Sequence, residues 1–333
     1  MIAKRVVQTA YGGPEVIAIK NFEVPEPGDT QVLVKVIYAG IAYADIMLKK
    51  TPMPGMPKPP RTPGADFTGI VEKTGGAVTK VKPGDRVAGI SMSDFGAQAQ
   101  FVCIDEQKLY RLPDTVPLGR GVCLLINYLT AYGMFREYEA RSKGVPRSIL
   151  VHGGSGGVGS ALIQIAAQKG IEVFSTASAD NIAFVESMGA VGIDYRTQDF
   201  VREIKTAGGS VDAVFDPISG DYLPRSLRIL ARGGVYVAFG FQKSAGIGGM
   251  LKAVIMYGIR KITALDKTLM IYQLTSHPES MQSDLDDLFS LYAQKRVSPH
   301  VSAVFPLEEA AAAYAALENG RRQGKIILQA NKE

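Results

Sequence analysis

The sequence predicts a protein of the α/β class, in which a parallel sheet follows a region rich in strands. Up to about residue 125, short apolar runs are separated by turn sequences and a proline-rich loop. After Arg147, strand patterns and helical patterns alternate, which implies right-handed crossovers and a parallel sheet. A glycine-rich loop joins the first of these strands to its helix in "LVHGGSGGVGSALIQIAAQKG", residues 150–170. These three observations point to a doubly wound sheet with a ligand at its edge.

Composition and charge indicate which ligands and which cellular location to expect. The chain has 333 residues, 46% of them hydrophobic, and a net charge of +5. No basic run stands out, so we expect small anionic ligands and no nucleic-acid partner. The two cysteines, Cys103 and Cys123, are too few for a disulfide scaffold and are expected to be packed thiols. The sequence shows no signal-peptide pattern and no apolar run of membrane-spanning length, so a cytoplasmic location is expected.

Strand and turn signals organise the first region. The stretch "QVLVKVIYAG", residues 31–40, alternates apolar and polar side chains and predicts a half-buried strand. The proline-rich stretch 51–64 predicts a loop. In "KPGDRVAG", residues 82–89, Pro-Gly-Asp predicts a turn that leads into a strand.

Beyond Arg147 the predicted elements follow one another closely. The strands are "SILVH", "IEVFSTA", "GID", "VDAVFDPI" and "VYVAFG". The helices are "SALIQIAAQKG", "DNIAFVESMGA", "TQDFVREIKTAGG" and most of "SGDYLPRSLRILARGG". We predict that Gly170 and Gly189 end the first two helices and that Asp180 caps the second. Two further helices, "SDLDDLFSLYAQKR" and "LEEAAAAYAALENG" (closed by Gly320), precede a last strand, "GKIIL".

The glycine loop carries the chemistry. Gly154, Gly156 and Gly159 form G-x-G-x-x-G at a strand-to-helix junction. Without side chains at these positions, backbone N–H groups can approach a pyrophosphate. The N-terminus of the helix stabilises the negative charge of that pyrophosphate. A structural turn is the competing interpretation, but the flanking strand and helix favour dinucleotide binding. No Gly-Lys-Ser/Thr follows, which excludes a P-loop.

The end of the second strand favours NADPH over NADH. NAD sites place an acidic residue there for the ribose hydroxyl, whereas this sequence has Ser175-Thr176-Ala177-Ser178 and no carboxylate. Tyr195 and Arg196, after the third strand, could reach the same position. His152 lies directly before the glycine loop and is expected to end a buried strand rather than to react.

A family resemblance rests on motifs in order along almost the whole chain: "AGIAYADIM", "PGADFTGIVEKTG", "VKPGDRV", "INYLTAYGMF", "VHGGSGGVGSALIQ", "GIDYRTQDFVREI", "DAVFDPISG" and "GKIIL". With these motifs the chain resembles the zinc-independent, zeta-crystallin-like quinone oxidoreductases of the medium-chain dehydrogenase/reductase superfamily. Within that family it is most similar to the branch of vesicle amine transport protein homologues.

The resemblance implies a Rossmann domain inserted into a GroES-like, β-rich catalytic domain. Residues 1–124 and 275–333 would form the catalytic domain, and residues 125–274 would form the Rossmann domain. It also implies that NADPH lies in the cleft between them and that hydride passes to a quinone, enone or enal. We also expect the protein to be a homodimer.

Several site residues follow from the loop and from the resemblance. The resemblance implies nicotinamide contacts from Asn127 or Thr130 and a position near the cofactor for Lys325. A surface ion pair is the alternative for Lys325. Ser178 and Tyr195 match the family pattern for the 2′-phosphate, but Asn181 stands where relatives often have lysine. The expected cofactor-binding residues are Asn127, Thr130, Gly154, Ser155, Gly156, Gly157, Val158, Gly159, Thr176, Ser178, Asn181, Tyr195, Phe239, Gly240, Phe241 and Lys325.

No metal site is expected. Zinc-dependent relatives carry Gly-His-Glu where this sequence has Gly64-Ala65-Asp66, so an imidazole ligand is missing. The four-cysteine structural lobe is absent too, and the three histidines and two cysteines are scattered. Asp66 is therefore expected to be structural.

Tyr43 is the candidate catalytic residue. It matches the tyrosine of the "NYRD" motif in related enoyl reductase domains, although Ala42 and Ala44 replace the flanking residues. Its hydroxyl could donate the proton that follows hydride transfer. Alternatively, Tyr43 only lines the substrate pocket, and water or the cofactor ribose supplies the proton.

A rival function rests on the apolar and basic stretch 244–269. It could bind a lipid surface, which would make the chain a membrane-surface-binding protein with little turnover. We favour a cleft lid or dimer surface for this stretch.

Overall fold

The computed structural model describes residues 1–53, 55–92, 95–142, 144–240, 242, 258–259, 266–320 and 323–333. The chain divides into two compact units. Unit 1 comprises residues 1–126, 285–294 and 299–333, and unit 2 comprises residues 127–284 and 295–298.

Unit 1 is built mainly from antiparallel strands. They are β1 (Ile2–Gln8), β2 (Ile17–Glu23), β3 (Gln31–Ile41), β4 (Asp66–Thr74), β5 (Arg86–Ile90), β6 (Phe101–Asp105), β7 (Leu109–Arg111), β14 (Val301–Pro306) and β15 (Lys325–Gln329). Strands β1 and β2 form a separate hairpin. The larger sheet has the order β14-β15-β3-β4-β5-β7, and β14 and β15 are its parallel pair among the described strands.

The long strand β3 is the centre of this sheet. One edge pairs with β4 along its length, while the other pairs first with β6 and then with β15. Its apolar side chains on both faces are buried, including Val32, Leu33 and Val34. The prediction of a half-buried strand is therefore wrong, because alternation in the sequence did not reveal that both faces are covered.

Unit 2 contains a six-stranded parallel sheet in the order β10-β9-β8-β11-β12-β13. Its strands are β8 (Ser148–His152), β9 (Glu172–Ala177), β10 (Ala190–Asp194), β11 (Val211–Asp216), β12 (Leu230–Ala238) and β13 (Thr268–Ile271). The chain winds outward from β8 in both directions, as a doubly wound fold does. Parallel pairing brings all carboxyl ends to one edge, and the predicted fold class is confirmed.

The described helices are short to medium in length. They are α1 (Tyr43–Lys50), α2 (Leu118–Cys123), α3 (Leu129–Ser142), α4 (Gly157–Gln168), α5 (Ile182–Ser187), α6 (Phe200–Ala207), α7 (Tyr222–Ser226), α8 (Met281–Ala293) and α9 (Ala310–Glu318). Single 3-10 turns lie at Pro14–Val16, Glu106–Lys108, Ala179–Asn181, Leu274–Ser276, Pro278–Ser280 and Leu307–Glu309, and a π turn lies at Leu124–Tyr128. None of the helices in the described part of the chain could span a membrane by length and hydropathy.

Two predicted helix boundaries are wrong. Asp180 lies inside a 3-10 turn, and α5 is preceded by Asn181 instead. The stretch predicted as mostly helical at 219–234 is helical only at Tyr222–Ser226, since β12 already begins at Leu230. Pairing of Leu230 with Val211 of β11 overrides the local helical pattern.

A buried ion pair joins two strands of unit 1. Lys325 Nζ lies 2.7 Å from Asp66 Oδ2, and each side chain is 1% exposed. Burial raises the pKa of Asp66, and the Lys325 ammonium opposes that rise. Gly40 on β3 makes room for the pair, because a Cβ there would come 2.1 Å from Asp66 Oδ1 and 2.5 Å from Lys325 Cε.

We expect Lys325→Met to destabilise the protein strongly, by about 3–5 kcal/mol, because it leaves the Asp66 carboxylate buried without its counterion. Adding Asp66→Asn should recover part of that loss. Urea denaturation measures both changes in the free energy of unfolding. Lys73→Met, which breaks the exposed ion pair with Glu26, is the control and should cost less than about 1 kcal/mol. Similar losses in Lys325→Met and Lys73→Met would contradict a special cost of burial.

Candidate functional site

The glycine loop lies at the carboxyl edge of the parallel sheet. Strand β8 ends at His152, and helix α4 begins at Gly157. Gly153 has φ +66°, a left-handed conformation that a glycine adopts without strain. Ser155 lies in the loop itself, and Val158 lies in the first turn of α4.

At three of the glycines a Cβ would come too close to neighbouring atoms of the same unit as they now stand. A Cβ on Gly154 would lie 1.8 Å from Ser175 Oγ of β9. One on Gly159 would lie 2.3 Å from the Gly153 carbonyl oxygen. At Gly157 it would meet Asn127 Nδ2 at 2.2 Å, which also places the predicted Asn127 amide at the start of α4.

Gly156 differs from these three. Within the described chain, a Cβ there would meet the Gly153 carbonyl oxygen at 3.4 Å, an ordinary van der Waals distance, and nothing closer. It is the N-cap of α4 without a side-chain cap. The first-turn amides that follow have no acceptor within the helix, as at any helix start. An uncapped helix N-terminus beside an open glycine fits the pyrophosphate of a dinucleotide.

A buried histidine supports the loop from beneath. The Thr176 hydroxyl accepts the Gly153 N–H at 3.2 Å and lies 3.1 Å from His152 Nδ1. His152 Nε2 lies 3.0 Å from Ser226 Oγ. Burial lowers the pKa of His152 to about 4, so the ring is neutral at physiological pH. Both Thr176 and His152 are buried, so the structure gives Thr176 a supporting position below the loop.

The residues expected near the 2′-phosphate lie together at the ends of β9 and β10. Ala177 pairs with Asp194, and the Tyr195 N–H donates to the Ala177 carbonyl at 3.2 Å. Asn181 Nδ2 donates to Ser178 Oγ at 3.1 Å. The Tyr195 side chain is exposed, with the Arg196 guanidinium 5.7 Å from its ring centroid. A guanidinium and a phenol therefore follow Asp194 at the end of β10, beside the end of β9, which itself carries no carboxylate.

Two further predicted residues lie at the same sheet edge. Phe239 follows β12, and its N–H donates to the Asp216 carbonyl at 3.0 Å. Gly240 packs on Pro217, where a Cβ would come 2.7 Å from the carbonyl oxygen. Phe241 lies outside the described residues. Thr130 is buried on α3, in the same unit as the glycine loop.

Lys325 and Tyr43 belong to unit 1. Lys325 is the buried counterion of Asp66, so its ion pair is not the surface pair expected as the alternative. Its position near the cofactor stays a prediction. Tyr43 is the first residue of α1, a helix that the sequence did not indicate.

A carboxylate missed at the sequence level fixes the start of α1. Asp45 Oδ2 accepts the Ala42 N–H at 2.8 Å, and Oδ1 accepts the Gly64 N–H at 3.3 Å. Burial, with a smaller contribution from Asp66, raises the pKa of Asp45 to about 6. An aspartate three residues after the helix N-cap was the signal that could have revealed it.

The donor set for a metal is lacking in the described ranges. They contain no group of three or more His, Cys, Asp or Glu side chains arranged to hold an ion. Ala65, which has no ligand atom, stands between Gly64 and the ion-paired Asp66.

Known proteins share this architecture. A family model described as "Alcohol dehydrogenase GroES-like domain" matches residues 28–114, and one described as "Zinc-binding dehydrogenase" matches residues 189–328. The chain is 31% identical to a quinone oxidoreductase of Rattus norvegicus, across 96% of this chain and 95% of the relative. It is 28% identical to a "Synaptic vesicle membrane protein VAT-1 homolog-like" of Mus musculus, across 99% of this chain and 82% of the relative.

A solved structure agrees with these relatives. The Escherichia coli quinone oxidoreductase complexed with NADPH superposes with a TM-score of 0.87 at 28% identity, covering 98% of this chain and 100% of that one. The chain therefore belongs to the medium-chain dehydrogenase/reductase superfamily. Within it, the protein is an oxidoreductase of the quinone oxidoreductase type.

We expect Gly156→Val to abolish dinucleotide binding while the fold survives. The new side chain has room within the described structure but projects where a pyrophosphate would approach. Losing a permissive N-cap should cost about 1 kcal/mol of stability. Thermal melts with and without NADPH measure both effects. Gly76→Val is the control, since no described atom lies within 4 Å of a Cβ there. A normal NADPH-induced shift in Gly156→Val would show that the loop is only a turn.

Proposed function

We propose that this chain is an NADPH-dependent, zinc-independent reductase that transfers hydride to a quinone or to an enone or enal. The observation that carries the proposal is the glycine loop, in which packing explains Gly154, Gly157 and Gly159 but leaves the bare backbone at Gly156 unexplained. We assign residues 125–274 to the cofactor domain and residues 1–124 and 275–333 to the catalytic domain. The test is oxidation of NADPH by a panel of quinones, enones, enals and nitroalkenes.

The residues of unit 2 would bind and orient the dinucleotide. First-turn amides of α4 would donate to the pyrophosphate, and Asn127 lies beside that turn. His152 and Thr176 hold the loop from below. When bound, the nicotinamide supplies the hydride, so the protein contributes position and electrostatics.

The preference for NADPH rests on charge. No carboxylate ends β9, and the exposed Tyr195 and Arg196 lie at the adjoining end of β10. A guanidinium recognises a phosphate well, whereas an acidic residue would repel it. The NADPH in the E. coli relative agrees with this assignment.

Zinc independence rests on the donor set. The matched family description names zinc, but Gly64-Ala65-Asp66 offers no imidazole ligand. The Asp66 carboxylate is already paired with the Lys325 ammonium. Catalytic zinc needs three protein ligands. Metal analysis of the purified protein tests this part of the proposal.

Tyr43 is proposed as the proton donor at the substrate. Reduction of an enone at its β-carbon leaves an enolate, which needs a donor at its oxygen and a proton at the α-carbon. The hydrogen bonds of Asp45 hold the first turn of α1, and therefore the Tyr43 backbone, in place. Water remains the alternative proton source.

Lipid-surface binding is the other candidate. The stretch 244–269 that suggested it lies mostly outside the described residues, so it stays a prediction from sequence. Co-sedimentation with anionic vesicles, together with absence of NADPH turnover, would favour it over the reductase. The homodimer likewise stays a prediction, which analytical ultracentrifugation tests.

We expect NADPH to bind more tightly than NADH. Tyr195→Phe should weaken NADPH selectively, by several-fold, if its hydroxyl donates to the 2′-phosphate; a typical hydrogen bond is worth about 1 kcal/mol. Dissociation constants from fluorescence titration measure both. Tyr11→Phe, at another exposed tyrosine, is the control and should change neither constant. Equal affinities in the wild type, or a preference for NADH, would defeat the assignment.

Tyr43→Phe keeps the ring and removes the hydroxyl. With an enone we expect kcat to fall by roughly tenfold or more, because general acid catalysis typically contributes about 10²–10⁴-fold. NADPH affinity should stay nearly unchanged. With a quinone the loss should be smaller, since solvent can protonate the reduced oxygens. If kcat for the enone is unaffected, Tyr43 only lines the substrate pocket and water is the proton source.

A further inference from the structure

Arg61 is a buried cation whose charge lacks a described partner. It lies in the proline-rich loop and is 9% exposed. Its Nε donates to Gln8 Oε1 at 3.0 Å. Within the described ranges, neither Nη1 nor Nη2 has a hydrogen-bond partner, although both atoms are out of contact with water. A guanidinium stays charged at any physiological pH, so burial in this state is costly.

The other buried cations of unit 1 show how this fold usually treats such a charge. Lys49 Nζ lies 2.8 Å from Glu318 Oε1, and Lys325 Nζ lies 2.7 Å from Asp66 Oδ2. Both lysines therefore have a carboxylate in contact. Arg61 is the buried cation for which the described chain provides none, so its counterion is expected to come from elsewhere.

The surroundings of Arg61 indicate the kind of ligand. Its Cζ lies 5.1 Å from the ring centroid of Phe95. Phe95 packs with Leu48 and Ala65, and the half-buried Met53 and Met92 lie at the edge of this apolar cluster. Methionine side chains adapt readily and could move aside for a ligand. A guanidinium next to an apolar cluster can bind a molecule in which a carboxylate is attached to a hydrocarbon or aromatic group.

Phe95 has a backbone conformation that is uncommon for its residue type. Its φ is +59°, and the following Gly96 has φ +96°. Positive φ in a bulky residue costs free energy and is often found where a side chain must be held for function. The ring of this residue is the one over which the Arg61 guanidinium lies.

Resting on the proposed reductase function, we infer that Arg61 is a substrate-recognition residue, and that the preferred quinone or enone carries a carboxylate that pairs with Nη1 and Nη2. The carboxylate restores neutrality and satisfies the guanidinium. The apolar cluster of Leu48, Met53, Ala65, Met92 and Phe95 contacts the body of the molecule.

Matched acceptors test the inference directly. β-Acetylacrylate and its methyl ester share the enone and differ in the negative charge. We expect wild-type kcat/KM to be at least about tenfold higher for the acid, since hydrogen bonds to a charged group are stronger than those to a neutral one. Arg61→Met should abolish the preference, and Arg61→Lys should retain part of it. Arg5→Met is the matched control, because Arg5 also lies over a ring, that of Phe22 at 5.2 Å, but is exposed.

A binding measurement separates this inference from the reductase proposal. At constant ionic strength, benzoate should raise the Tm of the wild type and of Arg5→Met, while neutral benzamide should not. Arg61→Met should lose the benzoate shift. If no acceptor is reduced but the Arg61-dependent shift persists, the reductase proposal fails and the anion site stands. Equal kcat/KM for acid and ester, with no benzoate shift, overturns the anion site.

A residue outside the described ranges provides an alternative partner for Arg61 that the experiment must exclude. Asp94 directly precedes Phe95 in the sequence, and an internal pair between Asp94 and Arg61 would remove the need for a ligand. In that case Asp94→Asn would lower Tm as much as Arg61→Met, and the double variant would lose no more than either. That result would overturn the inference. Additive losses in the double variant, together with the benzoate shift, would support it.

Discussion

The packing of α4 against β8 and β9 is the constraint on which the candidate cofactor site depends. Gly154 and Gly159 bring the helix start so close to the strands that neither position has room for a Cβ. This contact points the uncapped N-terminus of α4 to the carboxyl edge of the sheet. Because the sheet is parallel, the ends of β9, β10, β11 and β12 lie at that edge too. The amides of α4, the Tyr195–Arg196 pair and the Phe239–Gly240 segment are thus carried by one sheet.

Much of unit 2 could be predicted because its local signals agree with its tertiary structure. Gly170 and Gly189 have positive φ, as predicted for glycines that stop helices. The prediction failed where pairing overrides pattern: Leu230 pairs with Val211, which ends the helical stretch early. The sequence shows the local pattern of apolar and polar side chains, but it does not show with which strand a segment will pair.

The site residues also fall into two groups, those that a local motif reveals and those that come together only in the folded chain. A motif with fixed spacing, such as the glycine loop, can be found in sequence because its members are neighbours along the chain. The support that Thr176 and Ser226 give to His152 could not, since they lie 24 and 74 positions from it in the sequence and meet it only in the folded unit. Lys325 is a similar case, because a lysine paired in the interior resembles a surface charge in the sequence.

Unit 1 buries several charged side chains, among them Asp45, Lys49, Arg61, Asp66 and Lys325. Asp66 and Lys325 satisfy each other, and Lys49 binds Glu318. Asp45 accepts two backbone N–H groups, yet burial still raises its pKa to about 6. Such an interior is stable only when every charge has a partner, since one unpaired ion costs several kcal/mol. Gly40 shows that the backbone itself has been adapted to this requirement, because a side chain there would displace the Asp66–Lys325 pair. Arg61 is the exception among these described buried cations, and the carboxylate proposed for the substrate would give its guanidinium the kind of partner that Lys49 and Lys325 already have.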